Sequence, residues 1–125
     1  MKLLIDTHVL LWWLDDPAIL SKAARDAITD SANDVLVSAA VVWEIVIKTG
    51  LGKLAIPPDF EKAVQQCGFR YLPVHAAHAL AIRNLPTHHR DPFDRMLVAQ
   101  AIVEGATLVT RDANIFQYPV TCVRA

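Results

Sequence analysis

The sequence predicts a doubly wound α/β fold: a mainly parallel, five-stranded sheet flanked by helices. Three observations lead there. Short continuous apolar runs, such as Leu3-Leu4-Ile5 and Val35-Leu36-Val37, suit strands buried on both faces. Stretches with helical spacing of apolar residues separate these runs along the chain. Such alternation lays successive strands parallel, joined by right-handed crossovers, with helices covering both faces. Residues 1–125 read as one domain, with no repeat, low-complexity tract or linker.

Each element has a local reason. Leu3–Ile5 ends at Asp6 as a first buried strand, and His8–Leu14, apolar nearly all round, forms a helix that stops before Pro17. Ser21 caps a second helix, with Ala23, Ala24, Ala27 and Ile28 on one face. Val35–Val37 is the second strand, and Ser38 caps a helix that runs through Trp43 and Glu44 to Gly50. Pro57-Pro58 opens a fourth helix whose Phe60, Ala63, Val64 and Cys67 fall at i, i+3, i+4 and i+7, with Gly68 placed to end it. Tyr71-Leu72 and Val74 give a third strand, followed by an Ala-rich helix from His75 to Asn84 and a polar loop over Leu85–Arg90. Pro92 starts a helix that Gly105 stops. Thr107–Thr110 is the fourth strand, Ala113–Phe116 a helical turn, and Val120–Val123 the last strand.

Composition excludes several classes. Apolar residues make up 54%, above the ~45–50% of an average soluble domain, which rules out a disordered chain. The longest apolar run, Val9–Leu14, is far short of the ~20 residues a bilayer span needs, so no membrane association is expected. Asp6 interrupts the N-terminal apolar run too early for a signal peptide. Cys67 and Cys122 are too few for a disulfide scaffold or zinc knuckle, and are expected buried and reduced in a cytoplasmic protein. Twelve basic against thirteen acidic residues give a net charge of −1, which argues against an indiscriminate nucleic-acid coat.

The acids are the most informative residues. In an open parallel sheet, ligands bind beyond the carboxyl ends of the strands. Asp6 follows the first strand, Asp112 the fourth; Glu44 lies early in the helix after the second, and Asp91 and Asp94 begin the helix leading into the fourth. Each also has a purely structural reading. Asp6 or Thr7 can cap the first helix, Asp112 the turn at Ala113, and Glu44 can pair with Lys48 at i, i+4. Asp91-Pro92-Phe93-Asp94 has the spacing of a cap, N1 and N3, and Asp91 is best left with that capping role. Glu44, however, shares a stripe with Ala40, Val41 and Ile47, and Asp94 one with Leu97, Val98 and Ala101. A carboxylate on an apolar stripe needs a positive partner. Four carboxylates at one rim repel strongly, and a hard divalent cation such as Mg²⁺, which prefers oxygen ligands, resolves the conflict. His75 and His78, at i, i+3, lack the matched ligands of a zinc site.

Asp6-Thr7-His8, Trp43-Glu44-Ile45, His89-Arg90-Asp91-Pro92-Phe93-Asp94-Arg95 and Thr110-Arg111-Asp112 together resemble the PIN-domain ribonucleases, particularly VapC toxins of toxin–antitoxin pairs. The match runs in order over essentially the whole chain. The resemblance maps the family's acidic site onto Asp6, Glu44, Asp94 and Asp112, with Thr7 and Thr110 where a hydroxyl supports it and Asp91 at a position often acidic. It implies one or two Mg²⁺ or Mn²⁺ ions, endonucleolytic cleavage of RNA, homodimerisation and inhibition by a small VapB-type antitoxin. Such hydrolysis proceeds by in-line attack of an activated water, the 3′-oxygen leaving and a 5′-phosphate remaining.

Lys48, Arg90, Arg95 and Arg111 lie near these acids in sequence and are candidates for phosphate contacts, or else solvated surface charge. Trp12 and Trp13, adjacent on one helix, are either buried in layered packing or anchors for a dimer or antitoxin surface. Two rival readings remain. A non-catalytic PIN-like module would bind RNA or protein without cleaving. A Mg²⁺-dependent phospho-receiver is the weaker rival, since Asp6 stands alone, no Asp follows Tyr71–Val74 and no Lys lies beyond Lys62. Setting the four site acids aside leaves twelve basic against nine acidic residues, net +3. Residues 1–66 carry six basic against nine acidic (−3), and 67–125 six against four (+2). That balance suits a selective nuclease.

Overall fold

A computed structural model describes residues 1–88 and 90–125. His89, part of the motif quoted above, lies outside the described residues. The elements run β1 (Lys2–Ile5), α1 (Thr7–Asp15), α2 (Lys22–Thr29), β2 (Asp34–Ser38), α3 (Ala39–Gly50), α4 (Phe60–Gln66), β3 (Arg70–Leu72), α5 (Ala76–Ala81), α6 (Pro92–Glu104), β4 (Thr107–Thr110) and β5 (Cys122–Arg124). The five strands form one sheet in the order β3-β2-β1-β4-β5, and every neighbouring pair is parallel. β1 is central, with Ile5 beside Val37 on one side and Val109 on the other. This order also separates the chain from a phospho-receiver, whose strands run 2-1-3-4-5.

Because β1, β2 and β4 are covered on both faces, their residues are apolar without alternation. Leu3, Leu4, Ile5, Val37, Leu108 and Val109 are fully buried. α1 packs Val9 and Leu10 onto the sheet, α3 packs Val41 and Ile45, and α6 packs Leu97, Val98 and Ala101. Side chains close the helix starts: Asp6 accepts from Val9 N–H, Ser21 from Ala24, Ser38 from Ala40, and Asp91 from Phe93 and Asp94. Gly105 ends α6 at φ +64°, a left-handed conformation that glycine adopts without a Cβ penalty.

Differences from the sequence expectation sit at element ends and have local causes. α4 begins at Phe60 rather than at the proline pair, since Pro58 disfavours helical backbone at Pro57, which closes a turn onto Phe60 N–H instead. β3 is Arg70–Leu72, and Pro73, which has no N–H for the ladder, keeps Val74 out of it. The Ala-rich helix is six residues long, followed by a tight 3-10 turn over Ile82–Asn84. The turn expected at Ala113–Phe116 is a 3-10 turn at Ile115–Gln117, and β5 pairs from Cys122 to Arg124 rather than from Val120. Cys67, expected buried, is exposed at the end of α4. No helix among the described residues is long and apolar enough to cross a membrane.

Candidate active site

The strand order decides where a site can form. From β1 the chain lays β2 and β3 to one side of the sheet, then returns to lay β4 and β5 on the other. The crossovers leaving β1 and β4 therefore diverge, opening a crevice at their carboxyl ends. Asp6 is the first residue after β1, and Asp112 the second after β4. Glu44 comes from the second turn of α3, and Asp91 and Asp94 from the cap and first turn of α6. All five acids line one cavity of about 380 Å³.

Hydroxyls organise them. Thr110 Oγ1 donates to Asp6 Oδ2 at 2.5 Å and accepts the Asp112 N–H at 3.1 Å, so one side chain ties together both edges of the crevice. The other Asp6 oxygen accepts the Val9 N–H at 2.9 Å. Asp6 thus both caps α1 and faces the pocket. Thr7 Oγ1 donates to Glu44 Oε1 at 2.5 Å, and the Lys48 ammonium donates to Glu44 Oε2. Glu44 is only 4% exposed, and these two donors explain how its charge is tolerated on an apolar helix face. The i, i+4 pairing and the pocket position hold together. Its expected stripe partner Ile47 is exposed, while Ile45 is buried in its place. One oxygen of Asp91 accepts from Phe93 and Asp94 N–H at 2.9 and 3.1 Å, the predicted capping role. Asp112 accepts the Asn114 N–H at 2.9 Å.

Electrostatics make the convergence costly. Burial pushes the Asp94 carboxyl up to about 8, reinforced by Asp91, Asp112, Asp6 and Glu44. Burial also raises Asp6, opposed by the bonds from Thr110 and Val9. Lys48 is held above its ordinary value by its bond to Glu44. A pocket of hard oxygen donors whose anions destabilise one another fits a divalent cation. Among the described residues, no three acid, histidine or cysteine side chains are drawn tightly enough together to make a ready-built metal cage.

The candidate cations divide. Lys48 and Arg111 line the pocket. Arg111 Nε and Nη2, however, donate to the backbone oxygens of Ala125 (2.9 Å) and Ile19 (2.6 Å). Arg95 is spent elsewhere: its guanidinium donates to Pro86 O at 2.9 Å and to the Tyr118 hydroxyl at 3.2 Å. Arg90 is exposed beside Asp91. The tryptophans are not brought onto open apolar surface. Trp13 packs half-buried against Phe69, and Trp12, also half-buried, forms a wall of the acidic pocket. Open apolar surface occurs on α3, where Trp43 (62% exposed) and Val46 face out, followed by Leu51, and also at Leu80, Ile102 and Val103 on α5 and α6. A larger, chiefly apolar groove of about 1350 Å³ flanks the same helix, lined by Val42, Val46, Ile56, Phe69 and Tyr71 among others.

His8 also lines the pocket, and its i, i+4 relation to Trp12, the one signal in the sequence, puts both on the helix face that follows Asp6. Gln100 was missed. It is fully buried on α6, accepting from Ser38 Oγ at 2.6 Å and donating to Pro73 O at 3.2 Å. A lone amide among Leu97, Val98, Ala99 and Ala101 was the available signal.

The PIN domain family model matches residues 3–120. The chain belongs to the PIN-domain family. Within that family it is 35% identical to Ribonuclease VapC22 of Mycobacterium tuberculosis (strain ATCC 25618 / H37Rv) over 120 residues, covering 90% of this chain and 88% of that one. Among solved structures it resembles FitAcB from Neisseria gonorrhoeae, with a TM-score of 0.70, 25% identity and coverage of 98% of this chain and 96% of that chain. It shares the fold of VapBC2 from Rickettsia felis, solved bound to a DNA fragment from their promoter, at a TM-score of 0.69 and 16% identity, covering 99% and 98% of the two chains. PIN-domain ribonucleases of the VapC type are metal-dependent in general.

Proposed function

We propose that this PIN domain is the ribonuclease toxin of a toxin–antitoxin pair, cutting RNA endonucleolytically with Mg²⁺ or Mn²⁺ at the pocket formed by Asp6, Glu44, Asp94 and Asp112. The observation that carries this reading is the convergence of Asp6, Glu44, Asp91, Asp94 and Asp112 on one cavity, where the other acids oppose the ionisation of Asp94. Such an arrangement is unfavourable in a binding or purely structural site and becomes useful once a cation is bound. A divalent cation supplies Lewis-acid activation of water and of the scissile phosphate.

The chain's own residues do the rest. Asp6 and Asp94 would hold the cation directly, and Glu44 and Asp112 complete its surroundings or orient the water. Thr110 fixes the Asp6 carboxylate by donating to one oxygen, while Thr7 and Lys48 fix Glu44. Asp91 aligns the start of α6, and with it Asp94. Lys48 and Arg90 are the better placed phosphate contacts, because Arg95 and much of Arg111 serve backbone oxygens. Residues 1–125 act as one catalytic domain in the cytoplasm. A VapB-type antitoxin and a second copy of the chain find apolar surface on and beside α3, where Trp43, Val46 and Leu51 are exposed.

Purified chain incubated with RNA is expected to release fragments in Mg²⁺ or Mn²⁺ and to stop on chelation. Asp6→Asn and Asp94→Asn should each lose at least ~10²-fold in rate, the scale of removing one catalytic electrostatic contact. Circular dichroism should show the fold unchanged. Full activity in either folded mutant, or no cleavage with either metal, overturns the proposal.

A further inference from the structure

The acidic pocket has one wall that a metal and a phosphate do not need. His8 and Trp12 stand one turn apart on α1, with ring centroids 5.6 Å apart and planes 38° from each other. The Arg111 guanidinium lies 4.5 Å from the Trp12 ring centroid and is pinned by the backbone oxygens of Ala125 and Ile19. Trp12 is thereby braced from the side of the β4 loop, while His8 remains exposed. Thr7 aside, every other residue lining this cavity is charged. Its walls therefore offer oxygens for a cation, the Lys48 ammonium for an anion, and an aromatic pair braced by Arg111. A ligand matching all three carries a phosphate next to a flat ring.

We propose that His8 and Trp12 form a stacking subsite for the nucleobase adjoining the scissile phosphate of single-stranded RNA. The proposal rests on the ribonuclease reading above and adds the group that recognises the substrate. Bases of unpaired RNA stack on tryptophan, histidine and arginine planes, and such stacking tolerates base identity because every base has a π-face. A ring fixed by Arg111 loses little freedom on binding, so the contact favours association at small entropic cost. Its place beside the acids means that a stacked base also aligns the phosphate attached to it.

The test uses a single-stranded RNA oligonucleotide cut at one mapped position, and the same RNA with an abasic ribose on either side of that position. With wild-type protein, base removal at the stacked position should raise KM roughly tenfold, the size of one base–aromatic stack. His8→Ala and Trp12→Leu should raise KM for the intact RNA similarly with kcat little altered, and in Trp12→Leu the abasic RNA should cost less than about twofold more. Trp12→Phe, which keeps a ring, should recover most of the loss and guards against a folding defect. Equal abasic penalties in wild type and Trp12→Leu, or no penalty in either, overturn the subsite while leaving cleavage in place. So does a variant that cuts RNA normally and is altered only in binding an inhibitory protein. Absence of metal-dependent cleavage by the wild type overturns the ribonuclease reading itself.

Discussion

At the scale of single residues, the site is a set of acids made tolerable by hydroxyls. Thr7 and Thr110 each spend their one proton on a carboxylate, and the Thr110 bond opposes the burial that raises the Asp6 carboxyl. Burial and the neighbouring acids oppose the ionisation of Asp94. Its folded value of about 8 lies above the ordinary 3.8, so its protonated form is the one the folded chain favours. The resulting contribution to stability is fully present below about pH 4 and is lost as pH rises through about 8. Metal-free protein is therefore expected to melt at lower temperature at pH 8.5 than at pH 6, by roughly 1–3 kcal/mol after allowance for solvent screening. Asp94→Asn should flatten that fall, and Mn²⁺ should reverse it in the wild type only. Thermal melts in chelator and in Mn²⁺ check this. A wild-type slope identical to that of the Asn variant would show that Asp94 is not strained. The acids themselves were legible because each follows a strand or opens a helix. Their hydroxyl partners in space were not, since Thr110 and Asp6 are 104 residues apart.

At the scale of elements, two helices must keep a fixed spacing for Glu44 and Asp94 to share a pocket. The buried Ser38–Gln100 hydrogen bond links the cap of α3 to the middle of α6, and Gln100 continues to Pro73 O beyond β3. Replacing Gln100 with Leu strands the Pro73 carbonyl and removes this link. The expected loss is about 1–3 kcal/mol in urea unfolding, with weaker Mn²⁺ binding, against little change for the exposed Gln65→Leu. Unchanged stability and metal affinity would show the link to be dispensable. The same scale explains which parts of the fold were readable. β1, β2 and β4 are buried on both faces, so apolar runs mark them directly. β3 and β5 are edge strands of three residues whose limits follow from pairing with their neighbours, and the sequence around Val74 and Val120 carries no sign of that register.

At the scale of the whole molecule, topology and charge work together. The reversal of strand order between β1 and β4 creates the crevice, and the near-neutral chain concentrates its negative charge there. Alternating strands and helices made the architecture predictable, but α/β alternation alone does not separate this order from that of a phospho-receiver. Apolar excess was equally visible in the composition. Its location was not: two of the three tryptophans are taken up by packing and by the pocket wall, and the exposed one is Trp43.

The end of β5 carries a practical consequence. Ala125 is buried, its N–H donates to Thr110 O, and its backbone oxygen receives Arg111, the residue that braces Trp12. Met1, by contrast, is 65% exposed. A change at Ala125 therefore acts directly on Thr110 and Arg111, beside Asp112, whereas one at Met1 does not. Ala125→Asp, a charge at a buried position, should raise KM for RNA and lower the melting temperature together, and Lys62→Ala at an exposed site should change neither. Identical kinetics for these two variants would show that the end of β5 is a bystander. Otherwise an edge strand far along the chain from Trp12 helps to hold the pocket's aromatic wall in place.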